Sequence, residues 1–338
     1  MMAAARILGL AALGLWAAPL PAGAQSLSQI NLPAERAAIE GFQDLDQRLQ
    51  NIGWKMVRGN ARFCDRVIGS VGLQLQDIAS YGRPDIAKAA LGLEGAFAVQ
   101  TAAAGSPAAL SGTFARNREI TRIENDDPNQ WKAGKRMDWE RLTRVHDRID
   151  AALKNKGAVT FRLLDGVTRT LKPVPVCATR FELLGESKTA VSDGGRVVIG
   201  TRFPGFGWED DAEFAGVVAH ELAHNLLGHR AWLKRNKRSN SHIRKTEREA
   251  DRLMPWLLAN AGYDPEAAYR FMVRWGKRHD PGLLRSWAYE GWDERAEHIA
   301  AELPLIADLI KREGHADWSR HFRREIDPNK GLKKGRGG

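Results

Sequence analysis

The chain has 338 residues, 43% hydrophobic and 27% charged, and its Lys and Arg outnumber its Asp and Glu by 51 to 41, a formal charge of +10. This length and composition exclude a disordered or fibrous chain and allow two modest domains with real cores. The basic balance suits contact with anionic envelope surfaces. Nucleic acid is not expected, because the densest basic runs, Lys234 to Arg238 and Lys333 to Arg336, carry no interleaved aromatic residues for bases to stack on.

Residues 1–24 have the form of an export signal peptide. Arg6 gives a positive start, Ile7 to Leu20 is apolar, and Ala22-Gly23-Ala24 supplies small residues for cleavage. About 14 apolar residues fall short of the roughly 20 needed to span a bilayer. The expectation is a periplasmic or secreted protein that starts near Gln25. An oxidising compartment would let the two cysteines, Cys64 and Cys177, pair. Such a long closed loop gives roughly 4–5 kcal/mol in the chain-entropy picture. Neither cysteine belongs to a C-x-x-C pair, which argues against a cysteine zinc site.

An N-terminal helical segment, 25–65, comes next. Within it Ile39, Phe42, Leu45, Leu49, Ile52 and Met56 recur at helical steps. Residues 66–176 predict a small β-rich domain. Its strands are Gly72 to Leu75, Phe97 to Thr101, Glu119 to Ile123, Val159 to Leu164 and Thr168 to Val174, with one helix from Trp139 to Leu153. Residues 177–322 predict a mainly helical domain with two opening strands, Phe181 to Leu184 and Val197 to Thr201, and a turn at Ser192 to Gly195. A helix then starts near Asp210 with Glu213 three residues on, and it buries Phe214, Val217, Val218, Leu222 and Leu226 before Gly228 stops it. Asp264-Pro265 opens another helix. Residues 323–338 read as a basic tail. The fold class is α+β.

The chemistry concentrates in His220-Glu221-Leu222-Ala223-His224. On a helix, both imidazoles of H-E-x-x-H reach one metal ion, and the glutamate between them can take a proton from a water there. A catalytic zinc needs a third protein ligand, and three segments compete. His229 is out of register for the metzincin pattern. His242 lies in a Ser/Asn/Lys-rich stretch. Glu247 and Asp251 are four apart and share a helix face, so one can bind metal while the other holds a ligand histidine by its second ring nitrogen.

H-E-x-x-H followed by Glu247-Arg248-Glu249-Ala250-Asp251 resembles the gluzincin metallopeptidases of family M-48, which include the CAAX prenyl protease type 1 and HtpX. Asp193 to Ile199 resembles that family's G-G-x-I-x-V strand, Ala261 to Ala268 its A-G-Y-D-P-x-A-A signature, and Asp293-Glu294-Arg295 the end of its H-P-x-x-x-E-R segment. The resemblance implies one Zn2+ held by His220, His224 and Glu247, with Glu221 as base and Asp251 behind the ligands. Tyr289 stands where the family keeps a histidine, and its hydroxyl could face the oxyanion. Arg295 is either part of the catalytic set or a structural ion pair. The strand Arg196, Val197, Val198 and Ile199 would form the cleft's edge and take an extended substrate by backbone pairing.

Ala104 to Gly112 followed by Asn117 to Ile123 resembles the PDZ pattern, with Asn117-Arg118 replacing its usual Gly-Asp and Asp126 to Met137 inserted. Gly72, Leu73, Gln74 and Leu75 stand where that family binds a peptide carboxylate. Together these features predict a zinc endopeptidase acting on unfolded envelope proteins. The alternatives are a peptide-binding scaffold or holdase with a latent peptidase site, and a hydrolase of cell-wall amides. Arg230 to Lys245 is expected as a basic loop, a lid or a passive insertion.

Overall fold

A computed structural model describes residues 27–134, 137–279 and 291–331, so the expected signal peptide, Tyr289 and the run Lys333 to Arg336 lie outside the described residues. The first long helix, α1 (Leu32–Gly59), starts where the Asn31 side chain accepts from the Ala34 N–H and Pro33 sits in the first turn, where its missing N–H costs little. It was expected as a separate leading segment. It is instead a spine shared by both halves of the molecule. Ile39 packs with Ile78, Ala87 and Leu91 of the β-rich half. Leu49, Ile52, Met56 and Val57 belong to the core of the helical half, with Phe181, Leu222 and Leu253. Gly53 permits this docking, since a Cβ there would stand 2.4 Å from the Phe181 ring.

The β-rich half runs β1 (Val67–Ser70), β2 (Leu73–Asp77), α2 (Pro84–Leu91), β3 (Phe97–Ala102), α3 (Pro107–Leu110), β4 (Ile120–Ile123), α4 (Glu140–Lys156), β5 (Val159–Leu163), β6 (Thr168–Leu171) and β7 (Val174–Cys177). The expected order of strand, Gly-Ser-Pro turn, strand, helix and hairpin is present, and α2 is an addition. Antiparallel pairs join β2 to β3, β5 to β4 and β6, and β1 to β7. Phe97, Ile120, Ile123, Val145 and Phe161 form the core. Asn117 takes a left-handed φ of 64°, which an asparagine tolerates where the PDZ pattern has glycine. The Cys64–Cys177 disulfide joins the chain just before β1 to the end of β7 and so pins the ends of this half.

The helical half runs β8 (Arg180–Leu184), β9 (Ala190–Ser192), β10 (Arg196–Gly200), α5 (Asp211–Leu226), α6 (His229–Asn236), α7 (Asn240–Asn260), α8 (Ala267–His279), α9 (Trp292–Ala300), α10 (Leu303–Glu313) and α11 (Trp318–His321). Asp210 caps α5 by accepting from the Ala212 N–H, while Glu213 turns to Arg274 at 2.9 Å instead of closing a capping box. The architecture is therefore α+β, a helical assembly with small sheets. Among the described residues no helix is long and apolar enough to cross a membrane.

Three expectations are corrected. The strand Arg196 to Ile199 is not an edge: β10 pairs in parallel with β8 and antiparallel with β9, so both its sides are filled. Arg230 to Lys245 is not a loop. Most of it forms α6 and the start of α7, anchored by the buried Trp232. Residues 323–331 are not a free tail, because Arg248 pairs with Glu325, Ile326 is buried, and Asp327 O accepts from Trp232 Nε1 at 2.8 Å.

Candidate metal centre

Helix α5 is buried through Phe214, Val218, Leu222 and Ala223, which fixes the azimuth of its other face. That face carries His220 and His224 one turn apart. Helix α7 packs against α5 through Ala250, Leu253 and Met254 and brings Glu247 and Asp251 to the same place. His220 Nε2 and His224 Nε2 are 3.2 Å apart. Glu247 Oε2 lies 3.4 Å from His220 Nε2, and its Oε1 lies 3.5 Å from His224 Nε2. One ligand atom from each of the three residues fits within 4.8 Å of the others, and this is the one such cluster among the described residues.

Each histidine is backed on its other nitrogen. His220 Nδ1 is 3.1 Å from the buried Asp251 Oδ1, although off the axis of a hydrogen bond. Arg295 on α9 grips Asp251 with both nitrogens, at 2.6 and 2.8 Å, and stands 3.9 Å from Glu247. The structure thus places Arg295 on the carboxylates behind the cluster, the ion-pair role. Tyr289 lies outside the described residues. His242 is far from the cluster in its contacts, with Nδ1 2.9 Å from Lys237 O and its ring against Trp232.

His229, set aside as a ligand by its spacing, is instead behind His224. Its Nδ1 is 2.9 Å from His224 Nδ1 and its Nε2 is 3.0 Å from Glu249 Oε2. Glu249 is anchored in turn by Arg324 and the Ile326 N–H, both at 2.9 Å. Nothing in local spacing signals this pair. The one available sign was a second glutamate, two residues past Glu247, on a helix already carrying the site.

Glu221 is on the same helix, and Ser192 at the end of β9 lies near enough to its carboxylate to favour the ionised form. The turn between β9 and β10 is tied to α5 by Asn225, whose Nδ2 donates to Arg196 O at 3.0 Å and whose Oδ1 accepts from Gly194 N at 2.7 Å. Gly194 sits at φ +98°, a conformation side chains resist. Sequence patterns revealed neither Ser192 nor Asn225. With β10 interior, the open edge beside the cluster is β9, which has β10 as its only strand partner among the described residues.

Burial raises Glu221 above the usual carboxylate range, only partly opposed by His220. Burial alone would lower His220, but Asp251 and Glu247 overcome it and lift the ring to about 10. Burial holds His224 and His229 down at about 4. Burial works against ionised Glu247 too, yet His220 and His224 pull it well below its ordinary value. In the metal-free chain His220 therefore carries the positive charge that balances Glu247 and Asp251, while His224 and His229 stay neutral.

In the β-rich half, the expected carboxylate loop is occupied from within. The Gly72 N–H meets Ser70 Oγ at 3.2 Å, and the Leu75 N–H meets His146 Nε2 of α4 at 3.4 Å. Leu73 and Gln74 pair with Ala102 and Thr101 of β3.

No family model matches the chain, and no curated protein matches it.

Proposed function

We propose that this protein is a zinc-dependent endopeptidase of the exported compartment. The observation that carries the reading is the convergence of His220 Nε2, His224 Nε2 and a Glu247 oxygen within 4.8 Å, with Glu221 on the same helix. The donor set fits zinc: two imidazoles and one carboxylate are the three protein ligands of a catalytic site rather than the four of a closed structural one. The backing of both histidines by Asp251 and His229 fits as well, since ligand rings are oriented through their second nitrogen. Zinc held there would polarise the scissile carbonyl as a Lewis acid.

The chain's own residues divide the remaining work. Glu221, raised by burial, takes a proton from the attacking water and returns it to the departing amine. An extended substrate would pair with the open edge of β9, in the place first expected for Arg196 to Ile199. Backbone pairing selects flexible chains, so unfolded envelope proteins are the substrate class. The likeness to the M-48 gluzincins and the disulfide support this reading. The β-rich half is PDZ-like by its element order, but α4 covers its β2 edge, so we assign substrate capture to β9 and not to β2.

Metal analysis and fragment release from a casein-like chain test the proposal. Wild type should bind one zinc per chain and cleave. Glu221→Gln should bind zinc and fail to cleave, and Glu247→Ala should lose both. Full hydrolysis by Glu221→Gln would sink the mechanism. Stoichiometric zinc with no turnover on any unfolded chain would favour the holdase, and release of wall fragments alone would favour the amide hydrolase.

A further inference from the structure

We propose that Glu249 and His229 set the tautomer and orientation of His224, and that this pair ties the metal centre to the C-terminal segment. The inference rests on the metal-site reading above. Glu249 is wholly buried and His229 is 1% exposed, so neither can exchange partners with water. Glu249 accepts from Arg324 Nε and from the N–H groups of Glu325 and Ile326. A carboxylate so surrounded by donors is ionised and can only accept from the fourth neighbour, His229 Nε2, 3.0 Å away. His229 therefore carries its proton on Nε2, and its Nδ1 is a bare acceptor.

That acceptor lies 2.9 Å from His224 Nδ1. The two nitrogens can share one proton, which must then belong to His224. His224 is left with Nδ1–H and a lone pair on Nε2, the atom that faces His220 and Glu247. The rings meet at 78° with centroids 4.9 Å apart, so the edge of one addresses the edge of the other and rotation of His224 breaks the bond. The two ligands are thus backed differently. His220 has a carboxylate directly behind it, whereas His224 has an imidazole interposed between it and a carboxylate. Arg324 adds the link outward, since it also donates to Leu227 O just past α5.

The test is made on the folded chain with imidazole nitrogens labelled, by long-range proton–nitrogen NMR. In metal-free wild type, His224 should be protonated on Nδ1 and His229 on Nε2. His229→Phe should free His224 from that tautomer and weaken zinc binding by about 10–100-fold in a chelator competition. His229→Gln, which retains a side-chain acceptor, should recover part of the loss. His224 protonated on Nε2 in wild type would overturn the proposal, and that measurement needs no variant to fold. Unchanged zinc affinity in a folded His229→Phe protein would overturn it too. Failure of the metal-site reading looks different: wild type and Glu247→Ala would then bind zinc equally poorly, while the tautomers still decide the pair.

Discussion

Helices α4 and α5 each present histidine to a neighbouring element, and they do opposite things with it. On α4, His146 spends its Nε2 on the Leu75 N–H and closes the β2 edge. On α5, His220 and His224 turn their Nε2 atoms toward each other and toward Glu247. A satisfied polar contact holds structure together, whereas at the second site a proton on His220 stands between two carboxylates, where a cation is favoured. The same contrast runs through the ion pairs. Asp77 and Arg141 are both buried in the β-rich half, with Arg141 Nε 2.7 Å from Oδ2, and this pair touches no cluster. Asp251 and Arg295 form a similar pair that leans on His220.

The largest expected effect is on turnover. Glu221→Gln should lower casein-like cleavage by roughly 10²–10⁴-fold, the usual worth of a general base, with zinc content unchanged. Removing one partner of a buried ion pair should come next. Asp77→Asn and Asp251→Asn should each cost about 3–5 kcal/mol in denaturant unfolding. Only Asp251→Asn should also weaken zinc, by about 10–100-fold. Equal zinc affinity in both variants would erase the distinction between the two halves.

Replacing Cys64 and Cys177 by serine should cost about 2–5 kcal/mol, felt first in the β-rich half whose ends the disulfide pins. Hydrogen exchange would locate the loss, and a loss spread evenly over α5 and α7 would contradict it.

The pH dependence of stability has opposite signs at His146 and at His220. His146 is held at about 4 by burial, below the ordinary 6.5. Its neutral form is favoured by the fold, so this contribution is complete above pH 6.5 and is lost as pH falls toward 4. His224 and His229 share that direction. His220, lifted to about 10 in the metal-free chain, contributes fully below pH 6.5 and loses its contribution as pH rises toward 10. Unfolding of metal-free protein across both windows checks this, and His146→Phe should flatten part of the acid slope alone.

The candidate metal cluster was legible because helical periodicity fixes which residues share a face. His220 with His224 and Glu247 with Asp251 each follow from a four-residue step. The cysteine pairing followed from the expectation of export and the absence of any competing cysteine in the sequence. The rest depended on what packs against what. A period-two pattern shows that Arg196 to Ile199 is a strand but not how many neighbours it has, and the central position of β10 comes from β8 returning in parallel. Arg230 to Lys245 is polar enough to read as a loop, yet one buried Trp232 suffices to seat α6. The tail's docking is made mostly by ion pairs and backbone carbonyls, with Ile326 the one buried apolar side chain among residues 323–331, too little for a hydrophobic pattern. His229 was weighed only as a ligand, and its place behind a ligand needs the α5–α6 corner to be seen.

The central claim is that three side chains from two helices hold one zinc ion. Metal analysis of wild type beside His220→Ala, His224→Ala and Glu247→Ala tests it most directly. The account predicts one zinc per chain in wild type and loss of stoichiometric zinc in each of the three variants, with the Cys64–Cys177 disulfide intact throughout. Stoichiometric zinc that survives in folded Glu247→Ala with unchanged affinity would contradict it.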